Sequence, residues 1–157
     1  MRVVALMKAA DATVAEAGAY ALKEIAVFGE GKQAVFEAGG VAVLMEALAR
    51  HKTHEGVCVW ASLALGNIAS GGRAQAVLEA LPLLLEALSL HKTHAEVCRW
   101  VSYVLYIIEN SETRASIVSA GAVPLLAAVC KDHEGEARDI AHRALGALGY
   151  NEDGSKK

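Results

Sequence analysis

Five of the six histidines in this chain lie in short polar links, at a spacing that metal ions can use. They are His51, His54, His91, His94 and His133, and Cys130 precedes the last of them by three residues. Imidazole and thiolate groups at this spacing can bind Zn²⁺, Ni²⁺ or Cu²⁺, but a closed zinc site needs four ligands and each link supplies two. Metal binding is therefore the alternative hypothesis. The primary one is that the links are solvated and that His54, His94 and His133 start the following helices. It predicts that removing His51, His54, His91 and His94 together leaves stability nearly unchanged in metal-free buffer.

The links belong to a longer phrase that the chain repeats. HKTHEGVCVW begins at His51 and returns as HKTHAEVCRW at His91, with seven of ten positions identical. WASLALGNI, which begins at Trp60, returns as IAHRALGAL and has a weaker early copy, AGAYALKEI. A second phrase, GKQAVFEAGGVAVLMEAL, alternates with these and returns as RAQAVLEALPLLLEAL and RASIVSAGAVPLLAAV. Self-similarity of this kind is typical of repeat proteins, whose units stack on their neighbours.

Glycine and proline positions divide each period into three helices. The clearest unit predicts a short helix over residues 32–38, a second helix over 41–50 and a third helix over 55–70, ended by Gly71 and Gly72. In the last unit, Ser111 is predicted to cap the short helix and Pro124 to lie in the first turn of the second. The predicted fold is an all-α solenoid of about 3.5 units, a two-helix partial unit followed by three three-helix units. The predicted limits are one domain over 1–150, repeats over about 1–28, 29–71, 72–110 and 111–149, and a polar tail over 151–157.

Composition excludes several classes of function. Of the 157 residues 54% are hydrophobic and only 5% aromatic, so small aliphatic side chains fill the core. A net charge of −3 is not typical of nucleic-acid binding, and no apolar stretch reaches the roughly 20 residues of a membrane span. Three cysteines without a spaced framework favour a cytoplasmic or nuclear location. The G-x-S-x-G nucleophile motif and a phosphate-binding loop are both missing, so the sequence predicts no enzyme and no cofactor.

Two stretches resemble the armadillo repeat, and the resemblance covers nearly the whole chain. GKQAVFEAGGVAVLMEAL is similar to the family's first and second helices, and VCVWASLALGNIASG is similar to its third. The resemblance implies a right-handed α-solenoid whose third helices line a concave groove, and a role in binding other proteins, often in extended form. Members that act in nuclear transport carry a Trp, then an Asn four residues later, on each third helix. Only Asn67 matches that ladder, and without its Trp, so recognition of basic nuclear signals in that way is not expected.

Helical geometry separates two faces of the third helix over 55–70. At 100° per residue, one face carries the core stripe Val57, Ala61, Ala64, Leu65 and Ile68, while Trp60, Leu63 and Asn67 form a neighbouring stripe. The resemblance places that neighbouring stripe on the groove. Extended to all units, the predicted partner-binding groove consists of Tyr20, Glu24, Trp60, Leu63, Asn67, Trp100, Tyr103, Ile107 and Arg143. An alternative is that Trp60 and Trp100 are core residues wedged between adjacent third helices.

The sequence thus predicts a scaffold that binds a protein or peptide in this groove. The alternatives are a structural subunit that associates with itself, and a metal-binding protein that uses the histidine links. Self-association is predicted at the N-terminal end, where four apolar residues lack a preceding short helix to cover them. They are Val3, Val4, Leu6 and Met7. Bare side chains of this size forfeit about 1.5–3 kcal/mol each, so we expect a second copy of the chain, as a homodimer, or upstream repeats to cover them.

Overall fold

The computed structural model describes residues 2–7 and 11–157; Met1 and residues 8–10 of the predicted first repeat lie outside the described residues. Regular structure in the described part consists of helices, without a β-strand. The α-helices are α1 (Arg2–Met7), α2 (Ala12–Ile25), α3 (Gly29–Glu37), α4 (Gly40–Arg50), α5 (Glu55–Ile68), α6 (Ala74–Leu78), α7 (Leu81–Leu90), α8 (Ala95–Ile108), α9 (Arg114–Ser119), α10 (Ala122–Asp132) and α11 (Gly135–Leu148). None of the described helices is long and apolar enough to cross a bilayer.

The helices form two layers around one continuous core. Helices α2, α5, α8 and α11, the third helices of the repeats, pack side by side in chain order. Helices α1, α4, α7 and α10 stack beside them as the second layer, and the short helices α3, α6 and α9 connect the two. The order of short, second and third helix is the one that the sequence predicts. The limits of the repeats and their number remain predictions.

Glycines allow the sharp turns between the short and second helices. Gly39 precedes α4 with φ 80° and Gly121 precedes α10 with φ 91°, a left-handed backbone that glycine adopts without a steric cost. Gly72, with φ 82°, breaks the helical path after α5, as predicted.

The predicted cap at Ser111 is wrong. Thr113 is the residue that precedes α9, and its hydroxyl donates to the Ile108 carbonyl oxygen at 2.6 Å while accepting from the Asn110 amide at 3.0 Å. The turn is therefore closed by the side chain of Thr113, two residues after the expected position.

The expectation that the four apolar residues at the N-terminal end lack cover within their own chain is largely wrong, while the homodimer stays a prediction. Val4 and Met7 are buried within the chain itself, because α1 packs against α2 and α4. Gly18 makes this contact possible, since a Cβ at that position would lie 2.4 Å from the Met7 Cγ. Val3 is half-buried, and only Leu6, 68% exposed, remains open.

The C-terminal tail folds back onto the last repeat. The Lys157 amide donates to the Gly149 carbonyl oxygen at 3.0 Å, and a single antiparallel bridge joins Tyr150 to Lys156. Glu152 forms ion pairs with Arg138 at 2.9 Å and with His142 at 3.2 Å. The polar face of α11 is thus covered by charged residues of the same chain.

Candidate functional site

The third helices separate a buried face from a half-exposed one, as predicted. The predicted core stripe of α5 is fully buried, whereas Trp60, Leu63 and Asn67 on the same helix are partly exposed. The same row continues on the neighbouring third helices, where Tyr20, Glu24 and Arg143 are exposed and the other members are half-exposed. We call this row the third-helix surface, and it consists of Tyr20, Glu24, Trp60, Leu63, Asn67, Trp100, Tyr103, Ile107 and Arg143. Trp60 and Trp100 therefore combine the two alternatives, with one side against the core and the other open.

At the α2–α5 junction, aromatic packing connects the two helices. The rings of Tyr20 and Trp60 meet edge to face, 5.1 Å between centroids and 85° between planes. The Lys23 ammonium lies 4.3 Å from the Tyr20 centroid and 5.2 Å from that of Trp60. Lys23 also hydrogen-bonds Glu24, which lowers the pKa of that carboxyl. The Asn67 amide donates across the same junction to the Lys23 carbonyl oxygen at 3.3 Å.

At the α8–α11 junction, an ion pair connects the two helices. The Arg99 guanidinium lies 4.3 Å above the Trp100 ring and reaches Glu136 of α11 at 2.7 Å. The Trp100 indole N–H donates to Glu96 at 3.0 Å, and Trp100 packs edge to face on Tyr103 with 5.8 Å between centroids. A cavity of about 320 Å³ opens beside these rings, and Ile140 and Arg143 line its α11 side.

Tyr103 makes the surface continuous between the two junctions. Its ring lies against Gly66 of α5, where a Cβ would come within 2.7 Å of the ring. Burial raises the pKa of the Tyr103 hydroxyl, so the ring stays neutral over the physiological range. The α5–α8 contact thus depends on a residue without a side chain.

Four charged residues at these junctions were missed by the sequence analysis. They are Lys23, Glu96, Arg99 and Glu136. A local signal existed for three of them, because Lys23 follows Tyr20 by three residues on one helix, Arg99 adjoins Trp100, and Glu96 precedes Trp100 by four residues. The contact of Arg99 with Glu136 joins two repeats and has no local signal.

Two histidines of the links start helices, as predicted. The His54 Nδ1 accepts a hydrogen bond from the Val57 amide at 3.4 Å, and the His94 Nδ1 accepts one from the Val97 amide at 3.3 Å. His133 does not have this role, because Glu134 is the residue that precedes α11. The prediction that His133 starts a helix is therefore wrong.

The links are also less solvated than predicted. The His91 ring is 9% exposed, and its Nε2 lies 2.7 Å from the Lys52 carbonyl oxygen of the preceding link. The His133 Nε2 makes the same contact with the Lys92 carbonyl oxygen, also at 2.7 Å. Removing either ring leaves a backbone carbonyl without its partner, so stability should fall by about 1 kcal/mol for each, and for His91 this differs from our expectation of little change. Within residues 2–7 and 11–157, no three metal-binding side chains come together at one point.

The cysteines are buried, and their environments disfavour the reactive thiolate. Burial raises the pKa of Cys58 and of Cys98 to about 11, with Glu55 and Asp132 respectively adding to the shift. Burial also raises the pKa of Cys130. All three thiols are therefore neutral at physiological pH and serve as small core residues.

Solved structures with the same arrangement of helices are designed repeat proteins. One is an engineered protein with 30% sequence identity and a TM-score of 0.82, over 96% of this chain and 62% of the other. A designed armadillo repeat protein in complex with the peptide (KR)4 is 26% identical, with a TM-score of 0.81 over 97% of this chain and 66% of the other. Computationally designed armadillo repeat proteins for modular peptide recognition give 27% identity, with the same TM-score and the same shares. No family model and no curated protein matches the sequence.

These likenesses establish the class of the fold. The protein is an α-solenoid of armadillo repeats, as the sequence phrases predict. The chain spans less than two thirds of the length of each of the three structures.

Proposed function

We propose that this chain is a non-enzymatic scaffold that binds a peptide segment of a partner protein along the third-helix surface. The observation that carries the proposal is the continuous row of half-exposed rings and aliphatic side chains on α2, α5 and α8. Tryptophan and tyrosine are the commonest anchors of protein interfaces. The fold supports the same conclusion, since similar designed proteins were made for peptide recognition.

The partner segment should be extended and apolar at its centre. Four third helices about 10 Å apart span about 30 Å, which an extended chain covers in about ten residues. The middle of the surface offers Trp60, Leu63, Trp100, Tyr103 and Ile107, so the central side chains of the peptide should be apolar or aromatic. We call a synthetic segment of this length with alternating Leu and Tyr the apolar-centred peptide.

Calorimetric titration with the apolar-centred peptide tests the proposal. Trp60→Ala and Trp100→Ala should each weaken binding about tenfold or more, because a central anchor contributes about 2 kcal/mol. Phe28→Ala is the matched control, since Phe28 is 76% exposed and lies outside the surface. Folded wild-type protein that shows no binding, or an equal loss in the control, would contradict the proposal.

Self-association is the competing outcome, in which the surface meets a second copy of the chain. Light scattering after size exclusion separates the two functions. A wild-type dimer that Trp100→Ala converts to a monomer would favour the self-associating subunit over the peptide-binding scaffold.

A further inference from the structure

We propose that Lys23 and Arg99 determine the specificity of the third-helix surface by filling, with their own cationic groups, the positions where basic side chains of a peptide would bind. The inference rests on the proposed function. It predicts that the surface selects against lysine- and arginine-rich segments, unlike the similar designed protein that is in complex with (KR)4.

Arg99 occupies a complete cation site. Its guanidinium lies 4.3 Å from the centroid of Trp100, the ring type that attracts cations most strongly. Carboxylates stand on two sides, with Glu96 at 3.4 Å and Glu136 at 2.7 Å. An aromatic floor with flanking carboxylates is the environment that the arginine of a basic peptide would seek.

Lys23 occupies a second site of the same kind on the α2–α5 junction. Its ammonium lies over the rings of Tyr20 and Trp60 and pairs with Glu24. The side chain is only 14% exposed, and that of Arg99 is 26% exposed, so neither cation extends freely into solvent. Both tryptophans of the chain thus hold a cation from the same chain.

A basic peptide must therefore either displace these groups or lie beside like charges. Displacement breaks a partly buried ion pair together with a cation–π contact, and like charges side by side repel. An apolar side chain needs neither step, because Leu63 and Ile107 remain accessible next to the occupied rings. The cations exclude one class of partner and leave the apolar class unaffected.

The test is to remove the Arg99 side chain from the Trp100 ring and to measure the binding of two probes, (KR)4 and the guanidinium ion. In an Arg99→Ala variant on a Trp60→Phe background, Trp100 is the sole fluorophore of its type. We expect saturable binding of guanidinium at concentrations far below denaturing, reported by Trp100 fluorescence, and at least a tenfold gain in affinity for (KR)4. Wild-type Arg99 on the same background should show neither.

Arg114→Ala is the matched control, because it removes the same charge and an Arg–Glu pair of 2.7 Å on α9, outside the third-helix surface. If Arg114→Ala gains as much affinity for (KR)4, the gain is caused by the change in net charge alone, and the proposal is overturned. A folded Arg99→Ala variant without any gain would also overturn it, as would wild type that already binds (KR)4 as tightly as the variant. If Arg99→Ala does not fold, Arg99→Gln removes the charge while keeping most of the side chain, and the same criteria apply to it. The guanidinium result involves no peptide, so a failure of the proposed function, seen with the apolar-centred peptide, is distinguishable from a failure of this one.

Discussion

The α2–α5 and α8–α11 junctions place the same residue types on the same surface but hold their helices together differently. At the first, Tyr20 of one helix packs on Trp60 of the next, so the contact between repeats is aromatic. At the second, Trp100 packs on Tyr103 of its own helix, and Arg99 and Glu136 make the contact between repeats. The difference teaches that stacking of the repeats does not require one fixed side-chain pair. The second junction also keeps the open cavity, because no ring from α11 fills it.

The largest expected difference between the junctions is in stability. Trp60→Ala should lower the free energy of unfolding by about 2–3 kcal/mol, because a half-buried ring and its contact across helices are lost together. Trp100→Ala should cost about 1–2 kcal/mol, since its aromatic partner lies on the same helix. Urea unfolding followed by circular dichroism measures both. Leu65→Ala, a fully buried reference on α5, should cost about 2–5 kcal/mol. If Trp100→Ala lowers the free energy of unfolding as much as Trp60→Ala or more, the two junctions do not differ in the way described.

The fold was largely predictable from the sequence because the same pattern of helices and turns recurs in several copies along the chain. The copies of each phrase give the same order of helices, and the glycines at 39 and 121 mark the equivalent turn in two repeats. The helical period also separated the core stripe from the third-helix surface correctly, since it needs only the positions of residues along one helix.

The contacts between repeats were not predictable in this way. The burial of Val4 and Met7 depends on how α1 approaches α2, and the Arg99–Glu136 pair depends on the distance between α8 and α11. Side-chain reach across a helix junction follows from packing rather than from spacing along the chain. His133 was misplaced because the link between α10 and α11 has two residues where the link between α4 and α5 has four. His133 is therefore equivalent to His91, and it makes the same contact with a backbone carbonyl oxygen of the preceding link.

Two glycine substitutions at equivalent positions should have smaller effects on stability than the tryptophan substitutions. Gly66→Ala should destabilise the protein by about 1–2 kcal/mol, because the new Cβ would lie 2.7 Å from the Tyr103 ring and overpack the α5–α8 contact. The equivalent Gly146→Ala meets only the Lys157 ammonium, at 3.5 Å, so it should stabilise by about 0.5–1 kcal/mol through helix propensity. Thermal unfolding of the Gly66→Ala and Gly146→Ala variants measures both changes in stability. A Gly66→Ala variant at least as stable as the wild type would show that the Tyr103 contact is not tight.

Salt should act more strongly on one junction than on the other. The Arg99 pair with Glu136 is partly exposed, so its contribution should be below about 1 kcal/mol and should shrink in about 1 M NaCl, where charges are screened within about 3 Å. The cost of Tyr20→Ala at the other junction should depend less on salt, because the main contact that it removes is the packing of two rings. The measurement is the free energy of unfolding of Arg99→Ala and Tyr20→Ala at both salt concentrations. A cost for Tyr20→Ala that falls with salt as much as that of Arg99→Ala would contradict the assignment of an aromatic contact there.

The smallest expected effect is at the buried thiols, which hold equivalent positions on α5 and α8. Because burial raises the pKa of Cys58 and Cys98 to about 11, both remain neutral thiols at about pH 8, where a free thiol is partly ionised. Both should react with a thiol reagent only as fast as the protein opens, and at equal rates. Rapid modification of either one in the folded protein would show that its side of the core is accessible.

The most direct test of the account uses the two indole N–H signals in a ¹H–¹⁵N NMR spectrum, because both tryptophans of the chain lie on the third-helix surface. Titration with the apolar-centred peptide should shift both signals, saturably and with one dissociation constant, since a bound segment lies across the two junctions together. A peptide that binds while both indole signals stay unchanged would place its site elsewhere and contradict the account.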